Sequence, residues 1–265
     1  MKKTPTQAIR GLLLDLDGVF YVGQQLIPGA REVVDFLLAR EIPHLYVTNT
    51  TTRNLQQLQE KLQSLGLPID SDRILSAPAA ANSYLQERDI TSCRLLVREP
   101  VKADFPGMRD DDLQPEAVVI GDIGSAWSYE LLNQAFRDLV AGAQLIALHK
   151  NRYWQAEDGL RLDIGAFVSS LEYAADTQAV IIGKPSPAFY ATALHQLGLP
   201  ADQVAMVGDD IESDVGGAQA CGMHGVLVRT GKYRPELAGR TGVQADTVLE
   251  SVAQLPGLLV TDLLS

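Results

Sequence analysis

Two carboxylates stand two residues apart at the end of an apolar run, in Leu12-Leu13-Leu14-Asp15-Leu16-Asp17-Gly18-Val19. A short apolar run stopped by a glycine reads as a buried parallel strand running into a turn. In open α/β sheets the reacting groups sit just beyond the carboxyl ends of the strands. Asp15 and Asp17 therefore belong at a strand tip, where two negative charges need a reason to be there. A hard cation such as Mg2+ supplies one, because it takes oxygen ligands. Turn chemistry supplies another, since aspartate also favours strand-to-turn junctions. Three further boundaries carry groups of the same kind. Thr48 and Asn49 follow the β-branched and aromatic run Ile42–Val47, Lys184 follows Ala179–Ile182 and opens a helix, and Asp209, Asp210 and Asp214 follow the run Gln203–Val207. Carboxylates, a hydroxyl and one lysine are what a metal-assisted attack on a phosphoryl group requires. Cations neutralise the phosphoryl oxygens, and backbone N–H groups at a helix start cradle them. Taken singly, each residue has a plainer reading. Thr48 suits a strand end or helix cap, Lys184 suits a solvated surface, and Asp209 and Asp214 suit a helix N-terminus. Together they fall at the tips where one sheet would gather its chemistry.

The elements that must hold these groups follow from periodicity. Residues 29–40 carry Val33, Val34, Phe36, Leu37 and Leu38 at helical spacing, and residues 54–65 carry Leu55, Leu58, Leu62 and Leu65, stopped by Gly66. Residues 18–28 read as a short excursion or hairpin near the Asp pair. A strand near Arg73–Leu75 and a helix over Pro78–Glu87 follow. Between residues 89 and 180 the chain has strands of its own at Leu95–Val97, Ala117–Ile120 and Leu145–Leu148, with helices over 128–141 and 164–174. After residue 186 the chain predicts a helix over 187–198, the strand Gln203–Val207, a helix over 212–221 and the strand Gly225–Val228. Alternating strand and helix at both ends implies a parallel sheet with right-handed crossovers, and the middle block implies an inserted domain. The expected division is residues 1–88 and 181–265 against residues 89–180.

Composition bounds the rest. The 265 residues are 46% hydrophobic and 21% charged, enough for a sizeable core, and the formal net charge is −11. That charge argues against nucleic acid and against anionic membrane as partners, since both call for a basic surface. No signal peptide and no membrane span is read from the sequence. Cys93 and Cys221 lie far apart without metal-ligand spacing, so free thiols in a reduced, cytoplasmic setting are expected. His44, His149, His195 and His224 share no spacing. His149, beside Lys150, Asn151 and Arg152, reads as a surface residue of the inserted domain, with Trp127, Tyr153 and Trp154 as its core or rim.

The ordered set Asp15 to Val19, Thr48, Lys184 in Gly-Lys-Pro, and Gly208 to Asp214 resembles the four motifs of haloacid dehalogenase superfamily phosphatases. The insertion between the second and third motifs is similar to the α/β C2 cap of the N-acetylglucosamine-operon phosphatases, subclass IIA. Stretches such as Leu132–Arg137, Ala147–Lys150, Asp158–Leu160 and Leu171–Ala174 are similar to the phospholysine phosphohistidine inorganic pyrophosphate phosphatase branch. The resemblance implies a doubly wound, Rossmann-like α/β hydrolase core with an inserted C2-type cap. It implies Asp15 as nucleophile, forming an aspartyl-phosphate, and Asp17 as acid and then base, in surroundings that raise its pKa. Mg2+ would be held by Asp15, the Asp17 backbone carbonyl and Asp209, with Asp214 and Asp210 behind them or acting through water. Thr48, Asn49 and Lys184 would bind the phosphoryl group. Small phosphomonoesters, pyrophosphate and phosphoramidates are the expected substrates, and a homodimer through the cap is an arrangement the resemblance admits. A phospho-acceptor signalling module or a non-catalytic binding protein on the same fold is the alternative.

Overall fold

The structure is a computed structural model that describes residues 8–111, 113–156, 159–235 and 241–260. The chain forms two compact units. One comprises Met1–Thr48, Leu58–Leu75 and Lys184–Ser265, the other Asn49–Gln57 and Ser76–Gly183.

In chain order the first elements are β1 (Gly11–Asp15), the hairpin β2 (Tyr21–Val22) and β3 (Gln25–Leu26), α1 (Ala30–Ala39), β4 (His44–Thr48), α2 (Leu55–Ser64) and β5 (Ile74–Ser76). The second unit then brings α3 (Ala77–Gln86), β6 (Ser92–Leu96), β7 (Arg109–Asp110), β8 (Ala117–Ile120), α4 (Tyr129–Val140), β9 (Gln144–Ala147), the hairpin β10 (Tyr153–Ala156) and β11 (Gly159–Leu162), α5 (Ile164–Ala175) and β12 (Val180–Ile181). The chain returns with α6 (Pro187–Leu197), β13 (Val204–Gly208), β14 (His224–Val228) and β15 (Thr247–Leu249).

The first unit is built on a six-stranded sheet in the order β15-β14-β13-β1-β4-β5. β1 runs parallel to both neighbours, with Leu13 opposite Met206 on one side and Leu45 on the other. A strand covered on both faces has no polar side to show, which is why Leu12, Leu13 and Leu14 are all buried in an unbroken run. β13 obeys the same logic, with Val204 to Val207 buried. The two strands end side by side, so Asp15 and Gly208-Asp209 leave the sheet at one edge. Leu12 to Leu14 pair with Ala205 to Val207, and Asp15 pairs with Val47, one residue before Thr48.

The second unit has its own five-stranded parallel sheet, β12-β9-β8-β6-β7. Its core packs Val118, Ile120, Leu145 and Ala147 of the sheet against Ala135 and Leu139 of α4 and Ile164, Val168 and Leu171 of α5. The segment 49–57 belongs to this unit because polar bonds tie it there. The Leu55 backbone N–H donates to both Asp104 carboxylate oxygens at 3.0 and 3.2 Å, and the Asn54 side chain donates to the Pro100 carbonyl at 2.9 Å. Helix α3, which the sequence reading places ahead of the insertion, falls within this unit.

Several details differ from the sequence reading. The hairpin β10–β11 and the short edge strand β7 were absent from it. The expected helix over 212–221 is present, but its first part, Ile211–Gly216, is wound wide, with the Val215 N–H reaching back five residues to the Asp210 carbonyl at 3.2 Å, and α-helical winding follows at Gly217–Ala220. His149 is buried rather than on a surface. The Asn151 N–H donates to its Nδ1 at 3.4 Å, and Asp163 lies 3.7 Å from its Nε2. Trp127 is half-buried and stacks on Phe167 with centroids 4.3 Å apart, while Tyr153 is exposed. The Trp154 side chain and Asp158 lie outside the described residues.

Candidate active site

Four charged side chains converge at the strand tips of the first unit. Asp15 closes β1, Asp209 follows β13, Asp214 sits in the wide turn, and Lys184 precedes α6. All four are 5% exposed or less. Lys184 Nζ lies 2.7 Å from Asp15 Oδ1 and 2.7 Å from Asp214 Oδ1. Burial works against the lysine charge, but the two carboxylates outweigh it and hold its pKa above the ordinary value.

Asp15, Asp209 and Asp214 each offer one carboxylate oxygen, and these atoms all lie within 4.8 Å of one another. Lys184 contacts Asp15 and Asp214, and even with Lys232 nearby three carboxylates so close leave an excess of negative charge. The imbalance falls on Asp209, whose pKa is pushed up to about 8, first by burial and then by the charges of Asp15 and Asp214. Burial also raises Asp214 to about 6, with Lys184 pulling it back. Asp209 Oδ1 is buried and has no hydrogen-bond partner. A buried carboxylate oxygen left without a donor is costly, and a hard cation shared with oxygens of Asp15 and Asp214 removes the cost. The donor set therefore fits a divalent cation: all ligands are oxygen, and they are few and already gathered.

The backbone is shaped to admit these groups. A Cβ at Gly208 would collide with the Asp214 side chain, so only glycine lets that carboxylate fold back against the end of β13. There Asp214 Oδ2 accepts the Asp210 N–H at 3.1 Å. Tyr190 of α6 fixes the same turn from the other side, its hydroxyl donating to the Ser213 and Asp214 carbonyls at 2.7 and 3.1 Å.

The other expected site residues are placed as follows. Asp17 is exposed at the start of the β2–β3 excursion. The backbone at Asp17 is nonetheless fixed, because the Gly18 N–H donates to the Tyr21 carbonyl at 2.7 Å. Thr48 is buried as the last residue of β4. Asn49, next in the chain, is counted with the second unit, where a Cβ on Gly183 would lie 2.7 Å from its Oδ1. Asp210 acts as a cap: its Oδ1 accepts the N–H groups of Glu212 and Ser213, each at 3.0 Å. No histidine joins the cluster. His44 and His224 are buried elsewhere in the first unit, bound to the Ile42 carbonyl and to Thr247, and His195 is exposed.

The sequence reading missed the segment after β14. The Lys232 backbone N–H donates to Asp209 Oδ2 at 2.5 Å, and the Thr230 hydroxyl donates to the Gly18 carbonyl at 2.5 Å. Lys232 is exposed at the surface; partial desolvation opposes the charge on its ammonium, yet Asp15, Asp209 and Asp214 together raise its pKa. The strand-tip rule that found the other groups points here too, since Thr230 to Lys232 lie just past the end of a sheet strand.

Comparison with known proteins adds a family to this geometry. A model described as haloacid dehalogenase-like hydrolase matches residues 12–107, and a related HAD-hydrolase-like model matches residues 181–255. The chain is 42% identical over 228 residues to haloacid dehalogenase-like hydrolase domain-containing protein 2 of Bos taurus, covering 86% of this chain and 87% of that one. It is 37% identical over 262 residues to the phospholysine phosphohistidine inorganic pyrophosphate phosphatase of Danio rerio, covering 97% and 96%. Among solved structures, the p-nitrophenyl phosphatase from Archaeoglobus fulgidus superposes with a TM-score of 0.89 at 30% identity, covering 95% of this chain and 99% of that one.

Proposed function

The chain belongs to the haloacid dehalogenase-like hydrolase family and is a phosphatase; from that premise we propose that it is Mg2+-dependent and hydrolyses small phosphorylated metabolites through an aspartyl-phosphate on Asp15. The observation that carries this reading is the buried group of Asp15, Asp209 and Asp214 around Lys184, with one Asp209 oxygen unpartnered.

In this reading Asp15, the Asp17 backbone carbonyl and Asp209 would hold Mg2+, which when bound would neutralise charge on the transferring phosphoryl oxygens. Asp214 holds Lys184, and Asp210 supports the turn that carries Asp214. An Asp15 carboxylate oxygen attacks phosphorus, the bond to the leaving group breaks, and Asp17 gives the departing atom its proton. Water then attacks the same phosphorus, Asp17 takes its proton, and the bond to Asp15 breaks to release phosphate. Two easier displacements replace one difficult one. Lys184, Thr48 and Asn49 bind the phosphoryl group. Lys184 is suited to this because it keeps its charge while buried, and a charge fixed in a dry site stabilises the transition state without reorganising.

The first unit is the hydrolase core in this proposal, and the second is the cap that chooses the leaving group. Pyrophosphate and phosphoramidates enter as candidate substrates through the name of the Danio rerio relative. Among the described residues no helix is long and apolar enough to cross a membrane, and Cys93 and Cys221 are free thiols, in keeping with a cytoplasmic setting. Pairing of two copies through the cap belongs to the same reading.

The test is release of p-nitrophenol from its phosphate with Mg2+ and with chelator, in the wild type and in Asp15→Asn. Turnover that needs Mg2+ and vanishes in Asp15→Asn is expected. Wild-type turnover in that variant would refute Asp15 as nucleophile.

A further inference from the structure

We propose that Thr230 and Gly231 are positioning residues: the turn they form clamps the loop after β1 to Asp209 and so sets the distance between the oxygens that hold the cation. This rests on the reading above, in which Asp15, the Asp17 carbonyl and Asp209 bind Mg2+.

The clamp has two hydrogen bonds, one to each side of the cation seat. Thr230 Oγ1 donates to the Gly18 carbonyl, and the Lys232 N–H donates to Asp209 Oδ2. The turn between them is closed by the Tyr233 N–H, which donates to the Thr230 carbonyl at 3.1 Å. Its second residue, Gly231, has φ +57, a conformation that glycine adopts without strain. Gly18, at φ +89, turns the facing loop in the same region of backbone space.

Asp209 is held between these two glycines. A Cβ built on Gly231 would strike Asp209 Oδ2 and the Gly18 α-carbon, and one built on Gly18 would strike Asp209 Oδ2 as well. The carboxylate has backbone on both sides and cannot swing, while its Oδ1 stays without a partner. The same geometry aims the Asp17 carbonyl. Its peptide is planar and trans, so the carbonyl points opposite to the Gly18 N–H, and that N–H is anchored on Tyr21. The next peptide along has its carbonyl anchored on Thr230. Two successive peptide planes are thus fixed, the second of them by the clamp. Without Thr230 the Gly18–Val19 peptide keeps only the longer bond from the Val19 N–H to the Leu16 carbonyl, at 3.3 Å, and the relation between the loop and Asp209 loosens. A cation that demands near-ideal octahedral geometry is sensitive to that loss.

The experiment uses the full chain. Mg2+ binding is measured by titration calorimetry in the wild type, Thr230→Val, Thr230→Ser, Gly231→Ala and Asp209→Asn, together with the Mg2+ concentration for half-maximal p-nitrophenyl phosphate turnover. Urea unfolding in chelator follows the fold apart from the cation. Thr230→Val is expected to weaken Mg2+ about tenfold, the value of one lost hydrogen bond. Thr230→Ser restores binding to within twofold, and KM for the ester at saturating Mg2+ stays put. Gly231→Ala weakens Mg2+ further. Mg2+ affinity within twofold of wild type in Thr230→Val, or a serine variant no better than the valine one, overturns the clamp while leaving the cation reading intact. Asp209→Asn binding Mg2+ as tightly as wild type overturns the cation reading, and the clamp with it.

Discussion

Replacing Asp209 by asparagine should make the metal-free protein more stable while abolishing its use for a cation. The carboxylate carries a pKa near 8 in the fold against 3.8 for the ordinary group, because it is buried beside Asp15 and Asp214. The native state therefore binds a proton that the unfolded chain has released. That contribution to stability is fully present below the unfolded value of 3.8 and is lost as pH rises through about 8. About four pKa units at 1.36 kcal/mol each set a ceiling of roughly 6 kcal/mol. The repulsion is shared with two coupled carboxylates, so about half of that, ~3 kcal/mol, is expected from one substitution. Asparagine removes the charge at constant shape. Its carbonyl oxygen still accepts the Lys232 N–H, and its amide can donate towards the neighbouring carboxylates. Thermal unfolding in chelator reads the effect. At pH 8.5 the variant should melt ~5–10 °C above wild type, and at pH 5, where wild-type Asp209 is already neutral, the gap should nearly close. Mg2+ at a thousand times Kd should reverse the order, since only the wild type gains binding energy, about 4.1 kcal/mol. A variant that melts at or below wild type in chelator at pH 8.5, or a gap that does not change with pH, would refute the reasoning.

Lys184→Met should destabilise the fold by ~3–5 kcal/mol at pH 8, because it leaves Asp15 and Asp214 buried without their cation. The loss should shrink towards pH 5 as Asp214, already raised to about 6 by burial, takes up a proton, and urea unfolding at the two pH values checks both size and direction. Asp104→Ala removes the acceptor for the Leu55 N–H at the start of α2 and should cost ~1 kcal/mol in the same assay; restoration by Asp104→Asn would confirm that an acceptor, not a charge, is needed. Tyr190→Phe strips the donor from the Ser213 and Asp214 carbonyls and should cost ~1–2 kcal/mol. Protection of the 211–216 amides from hydrogen exchange should fall with it, and unchanged protection would count against that role.

The centre of the first unit was legible because it is dictated by simple demands. Leu12 to Leu14 and Val204 to Val207 are unbroken apolar runs because both strands are covered on two faces, and the charges that follow such runs could only be at tips. Lys184, Asp209 and Asp214 were visible through their order along the chain and their place relative to those runs. What was illegible depends on chain crossings and on absent atoms. Nothing in the sequence says that Gly208 is a glycine because Asp214 folds back against it, or that Gly231 is one because Asp209 lies in its path. Nor is the wide winding of Ile211–Gly216 within the expected helix announced by the apolar pattern, which sees only a helical period. Asp104 capping Leu55 from 49 residues away is likewise a contact that no local pattern announces.

The sheet order of the first unit also bears on how the protein is made. β1 leaves the ribosome long before its partner β13, which lies nearly two hundred residues behind it, Leu12 pairing with Ala205. Loop closure over such a separation makes the pairing late, and segments released early fold or wait as units. The nascent chain thus carries Asp15 on an apolar, half-templated strand while the whole second unit is synthesised. A polypeptide halted before Val204 would bear the acid at its β1 tip and the lysine, but neither Asp209 nor Asp214, and its unsatisfied strand edge would be open to any passing β-segment or chaperone.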